Sequence, residues 1–195
     1  MKPLNSLVKI ILILPFLSVS IAFSAEEVLV PSTVDKAAQL ELFQNRLVDL
    51  ESRVGPYDLS LMEPLAGMIA VLWEQQDYET VAELQSRQLQ VMRTALGLQH
   101  PDVLPIIRSI VTTQIALGNW DAVSDQLEHI RNLHPLENGQ PSLELLHAID
   151  DQIHWLLMRT VLDGRGRRAR TFMQSRDLMA ELDDFVEDFY GDNNP

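Results

Sequence analysis

The sequence predicts an all-α fold: an α-α superhelix of about three helical hairpins, closed by a C-terminal capping helix. Three observations carry that expectation. The chain matches itself at a shift of 42 residues without a gap, so that Val54-Gly55 falls on Leu96-Gly97, Leu65 on Ile107, Met68 on Ile110, Ile69 on Val111, Asp77-Tyr78 on Asn119-Trp120 and Val81 on Val123. A third copy follows, because Gly97 falls on Gly139 and Val103, Leu104 and Ile107 fall on Leu145, Leu146 and Ile149. Apolar residues also recur at steps of three and four, and no strand alternation of useful length is present. Periods of roughly twenty to fifty residues belong to solenoids, where each unit buries its apolar face against its neighbours.

Taken in order, the chain is expected to begin with an export signal over residues 1–24. Lys2 and Lys9 bracket a basic region, an apolar stretch runs from Ile10 to Phe23, and cleavage after Ser24 leaves Ala22 three positions from the cut. The stretch falls short of the roughly 20 residues that span a bilayer, which suits a signal core; an uncleaved anchor is the alternative. A leader over 25–33 precedes the repeat domain at 34–190, and 191–195 form a tail.

The first helix is expected over 35–54, with Phe43, Leu47, Leu50 and Val54 on one face. Gly55-Pro56-Tyr57-Asp58 is a turn, and Ser60 with Glu63 reads as a capping box for a helix over 60–75, whose first turn tolerates Pro64. Helices over 77–96, 103–117 and 119–133 repeat the pattern, with Pro105 in an opening turn and Gly118 as a breaker. Ser142 caps a helix over 143–162. The last helix, over 170–190, has Phe172, Leu178, Leu182, Phe185 and Phe189 as its apolar members.

Composition narrows the function. The 195 residues carry a net charge of −13, from 15 Lys and Arg against 28 Asp and Glu. Such a field repels phosphates and anionic lipid, which disfavours nucleic acid and leaves a membrane as partner only if the signal stays uncleaved. Cysteine is absent, so stability in an oxidising compartment must come from helix packing, and a lipidated N-terminal cysteine is excluded. The chain is expected to be periplasmic or secreted.

The stretch Tyr78, Val81, Glu83-Leu84, Arg87, Leu89, Leu96-Gly97, His100-Pro101-Asp102-Val103 and Gly118-Asn119-Trp120 resembles the 42-residue tetratricopeptide repeat of the kinesin light chain type. The clear match covers about Val54 to Ile130. Ile69 and Val111 depart from the family's small residue deep in helix A, and Val81 and Val123 from its alanine early in helix B. The resemblance implies a module that binds a peptide or protein segment along a concave face of A helices. The residues carried onto that face are Glu63, Ala66, Ala70 and Trp73 from the first unit, Arg108, Thr112 and Ile115 from the second, and His147, Asp150 and His154 from the third. Ala66, Ala70 and Thr112 leave room for a guest, Trp73 offers an apolar anchor and Arg108 a carboxylate partner. Trp73 and Arg108 are expected to face one cavity.

Two other constellations carry chemistry. His147, Asp151 and His154, at steps of four and three, present two imidazoles and a carboxylate, the basis of an alternative reading as a metal-dependent hydrolase. No His-Glu-x-x-His, no Gly-x-Ser-x-Gly and no cofactor motif accompanies them, so the preferred reading is a polar stripe facing the groove, with no metal or cofactor. Arg165, Arg167, Arg168 and Arg170, interleaved with Gly164 and Gly166, form a basic turn. It suits phosphate, lipid headgroups or an acidic partner, and with an uncleaved signal it would make a membrane-tethered adaptor; alternatively it neutralises Glu181, Asp183, Asp184, Glu187 and Asp188.

Overall fold

The computed structural model describes residues 33–136 and 139–191. Within them lie α1 (Thr33–Val54), α2 (Met62–Glu74), α3 (Tyr78–Leu96), α4 (Leu104–Leu117), α5 (Trp120–Asn132), α6 (Leu143–Leu162) and α7 (Arg165–Gly191). 3₁₀ turns at Leu59–Leu61 and Pro101–Val103 lead into α2 and α4. Each helix packs on its neighbours in sequence, and no strand occurs among the described residues, so the chain is an all-α stack of helical hairpins. The expected export signal, residues 25–32 of the leader and residues 192–195 of the tail lie outside the described residues.

The repeat is more regular in space than in sequence. Leu65, Ile107 and Ile149, one period apart on α2, α4 and α6, are each fully buried, as are Val81 and Val123 on α3 and α5. Gly55, Gly97 and Gly139 close the units with φ of 89°, 107° and 84°, a backbone that side chains with a Cβ rarely adopt. Three residues later each unit is capped by a different side chain in the same place. Asp58 accepts from the Ser60 N–H, His100 Nδ1 from the Asp102 N–H and Ser142 from the Leu145 N–H. The Ser60 and Glu63 capping box is therefore not what starts the second helix. Asp58 caps the turn, and its carboxyl is held below its ordinary pKa first by the Ser60 side chain and then by the Ser60 N–H.

Within a hairpin the connection turns on a left-handed residue, Gly118 at φ 75° and, one period earlier, Gln76 at φ 61°. Thr160 stands at the third such position, and there α6 runs on to Leu162 before Asp163 ends it with an extended backbone. Without a residue suited to the left-handed turn the helix continues, which delays the start of its partner.

Polar contacts tie the stack together. Successive outer helices are joined by Arg87 of α3 with Glu51 of α1, Arg93 of α3 with His129 of α5 at 2.7 Å, and Arg131 of α5 with Glu181 of α7 at 3.2 Å. Arg159 of α6 is buried and donates to Ser124 at 2.9 Å, Asp121 at 2.7 Å and the buried Asp163 at 3.3 Å, while Thr171 of α7 donates to Asp163 at 2.8 Å. The Arg159 hydrogen bond, and after it the Arg159 charge, lower the pKa of Asp121. This network locks the turn between α6 and α7 against α5.

Some expectations are corrected. On α1, Leu47 is buried, but Val54 at the helix end is exposed. The small residue at a close crossing is Gly67, against whose Cα the Phe43 ring of α1 lies so closely that a Cβ would overlap it. On the last helix Leu178, Leu182 and Phe185 pack on Leu145, Ile149 and Ile153 of α6, whereas Phe172 is 55% exposed and points away from that contact. The Phe189 side chain lies outside the described residues.

Candidate functional site

The face built by α2, α4 and α6 holds two open grooves, each between a successive pair of these helices and floored by the outer helix between them. The first, about 540 Å³, is lined by Ala66, Ile69, Ala70, Trp73 and Glu74 of α2, Gln88 of α3, and Ser109 and Thr112 of α4. Its spacing of three and four along α2 puts two alanines below the Trp73 ring, so the groove is deep where the side chains are short. Trp73 is half-buried, and its ring meets Tyr78 edge-on at 5.0 Å, which fixes its orientation before any guest arrives. Behind the floor Gln85 is buried and donates to Ser109 Oγ at 2.7 Å, while Gln88 reaches the Met62 carbonyl at 3.5 Å.

The second groove, about 370 Å³, lies between Arg108, Val111 and Ile115 of α4 and Asp151, His154, Trp155 and Met158 of α6, over a floor of Val123, Leu127 and Ile130. Arg108 and Asp151 face each other across it at 3.8 Å, both about half exposed. An exposed pair at that distance contributes little to stability, so it is free to exchange partners. Apart from that pair and His154, the groove wall is apolar. Trp155 Nε1 is satisfied by Ser124 at 2.8 Å, which leaves the indole to serve as a fixed surface.

Of the residues expected on this face, Ala66, Ala70, Trp73 and Thr112 line the first groove, and Arg108, Ile115 and His154 the second. Trp73 and Arg108 therefore face separate grooves and not one cavity, because each groove is confined between its own pair of helices. Glu63 lines neither; it pairs with Arg46 of α1 at 2.6 Å. His147 is exposed outside both grooves, and Asp150 sits beside His154 at 3.3 Å. Sequence reasoning missed Ile69, Glu74, Gln88 and Ser109 in the first groove and Val111, Val123, Leu127, Ile130, Trp155 and Met158 in the second. Gln88 had a legible signal, a polar side chain three residues after Gln85 on an otherwise apolar helix face.

The His147, Asp151 and His154 stripe is not gathered into a ligand set: Asp151 is turned to Arg108 and His154 to Asp150, and among the described residues no three His, Cys, Asp or Glu side chains group to hold a metal. The arginines do not form a turn. They open α7, where Arg167 reaches Asp121 of α5 at 3.4 Å, Arg168 donates to the Asp163 carbonyl at 3.0 Å, and Arg170 is exposed. Their acceptors are Asp121 and Asp163, not the acidic residues later in α7 that composition suggested.

Compared with models of known protein families and with curated protein sequences, the chain matches none. Among the described residues no helix is long and apolar enough to cross a membrane.

Proposed function

We propose that the chain is an exported interaction module of the tetratricopeptide type, a scaffold or adaptor that holds an extended peptide or protein segment across α2, α4 and α6. The observation that carries this reading is the pair of adjacent grooves. The first offers an oriented indole over small residues, and the second an exchangeable guanidinium beside an apolar wall. A guest of matching chemistry has an apolar side chain for the Trp73 groove and, further along, a carboxylate that replaces Asp151 on Arg108. Buried aromatic and arginine anchors of this kind dominate interface energies.

Capture of partners from the native cell envelope, followed by titration of the recovered partner, tests the proposal. The double change Trp73→Ala with Arg108→Glu is expected to abolish capture while helical content and melting stay as they were, because neither side chain belongs to the core. Undiminished binding by that variant sinks the groove as the site. N-terminal analysis of the mature chain checks export separately: a chain starting at Ala25 supports it, and one still carrying Met1 to Ser24 favours a tethered adaptor.

A further inference from the structure

The outermost helix bears an apolar stripe that the described chain leaves bare. On α7, Thr171, Ser175 and Leu178 repeat the four-and-three spacing of Val123, Leu127 and Ile130 on α5 and face the core in the same way. In that register Phe172 takes the place of Ser124, whose hydroxyl receives Trp155 and Arg159 from α6, the inner helix of the following unit. No helix follows α7 among the described residues. Phe172 is accordingly 55% exposed, and Met179 and Val186 are 38% and 37% exposed. These three stand seven residues apart, the spacing that draws a straight seam along a helix able to pack on another.

Charge along the same face is polarised. Arg168 and Arg176 stand toward its N-terminal end and Asp183 and Glu187 toward its C-terminal end, all exposed. Arg176 reaches its neighbour Asp177 in the single chain, a contact of adjacent exposed residues that costs little to give up. The whole chain, at −13, resists self-association, but α7 itself contributes little to that charge. Its five arginines (165, 167, 168, 170 and 176) nearly balance its six acidic residues (177, 181, 183, 184, 187 and 188).

We infer that this face docks a second copy of the chain, the two α7 helices lying antiparallel about a two-fold axis at Met179. That arrangement sets Met179 against the Met179 of the second copy and Phe172 against its Val186. Arg176 comes beside Asp183 of the second copy, and the Arg168 end lies toward its Glu187. A parallel arrangement would instead stack arginine on arginine and aspartate on aspartate, and would align the two helix dipoles unfavourably. With 27 residues α7 is about 40 Å long, enough for a seam of about three heptads. The pairing is isologous, so it closes at two copies and leaves both groove faces open.

Sedimentation velocity on the chain purified from its native cells, at low salt and across a concentration series, tests the inference. A reversible dimer is expected, and it loosens as added salt screens the arginine–carboxylate contacts. Met179→Glu places like charges on the axis and halves the sedimenting mass to that of a monomer, with helical content unchanged. Arg176→Asp and Asp183→Arg each weaken the dimer, and the two together restore it. Because the sequence has no cysteine, Met179→Cys adds a single thiol, which mild oxidation converts to a covalent dimer. Gln174→Cys, exposed on another side of α7, stays monomeric under the same treatment. A monomer at every concentration, an open head-to-tail polymer, or crosslinking of Gln174→Cys as fast as Met179→Cys overturns the inference. None of these readouts depends on the groove.

Discussion

Replacing Ile107 by alanine probes the joint between the first and second units. Ile107 is fully buried on α4, inside a cluster that includes Leu89 of α3, Val123, Leu127 and Ile130 of α5, and Ala148 and Trp155 of α6. The change removes three carbons, and at about 0.8 kcal/mol per buried methylene the lost transfer energy is about 2.5 kcal/mol. Helices in contact on both sides keep the walls from closing, so a cavity contribution of about 1 kcal/mol is added, for a total of roughly 3 to 4 kcal/mol. Urea unfolding followed by far-UV circular dichroism and by tryptophan fluorescence reads the loss. With a slope of about 2 kcal/mol per molar urea, the midpoint falls by about 1.5 to 2 M. Val161→Ala, at a position 74% exposed, serves as the control and is expected to stay within about 0.5 kcal/mol of the parent. An Ile107→Ala midpoint that stays in place, or a control that moves as far, refutes the claim that this repeated position joins the units.

Two further outcomes follow from single residues. Gln76 holds the left-handed turn that Gly118 makes one period later. Gln76→Gly relieves a left-handed strain of about 1 to 2 kcal/mol, against about 0.5 to 1 kcal/mol for the greater freedom of glycine in the unfolded chain. The net expectation is a modest rise in melting temperature, and a fall would contradict the strain. His129 has a pKa below its ordinary value of 6.5, first through burial and then through the Arg93 charge 2.7 Å away, so the folded chain holds it neutral as an acceptor. The unfolded chain takes up that proton first. The stability this group contributes is therefore full above its unfolded pKa and is lost as pH falls through that value toward the lowered folded one. Melting between about pH 7.5 and about pH 5.5 should drop more in the parent than in His129→Gln, whose amide oxygen accepts from Arg93 without titrating. Equal drops would remove His129 from the pH response.

The helix boundaries were legible because their signals are local. Gly55, Gly97 and Gly139 punctuate the chain, Ser142 caps the helix it precedes, and apolar steps of three and four mark the buried side of each helix. Leu65 and Ile107 were legible as core for the same reason, since the period makes one observation predict the next. For the basic segment from Arg165 the local signal points to a turn, because Gly164 and Gly166 lower helix propensity. The segment is nonetheless helical, with Arg167 reaching Asp121 of α5 and Arg168 donating to the Asp163 carbonyl.

The sequence by itself determined that the protein is a stack of helical hairpins, where most of the helices lie and which residues repeat from one unit to the next. Those properties depend on residues within a turn or two of one another and on a period that needs no knowledge of space. Only the tertiary structure decided that Trp73 and Arg108 belong to neighbouring grooves, because that depends on which helix lies across from each. It also decided that Phe172 faces outward. A helix with two apolar faces reads the same in sequence whether or not another unit covers the second, and only packing distinguishes the covered face of α5 from the bare one of α7.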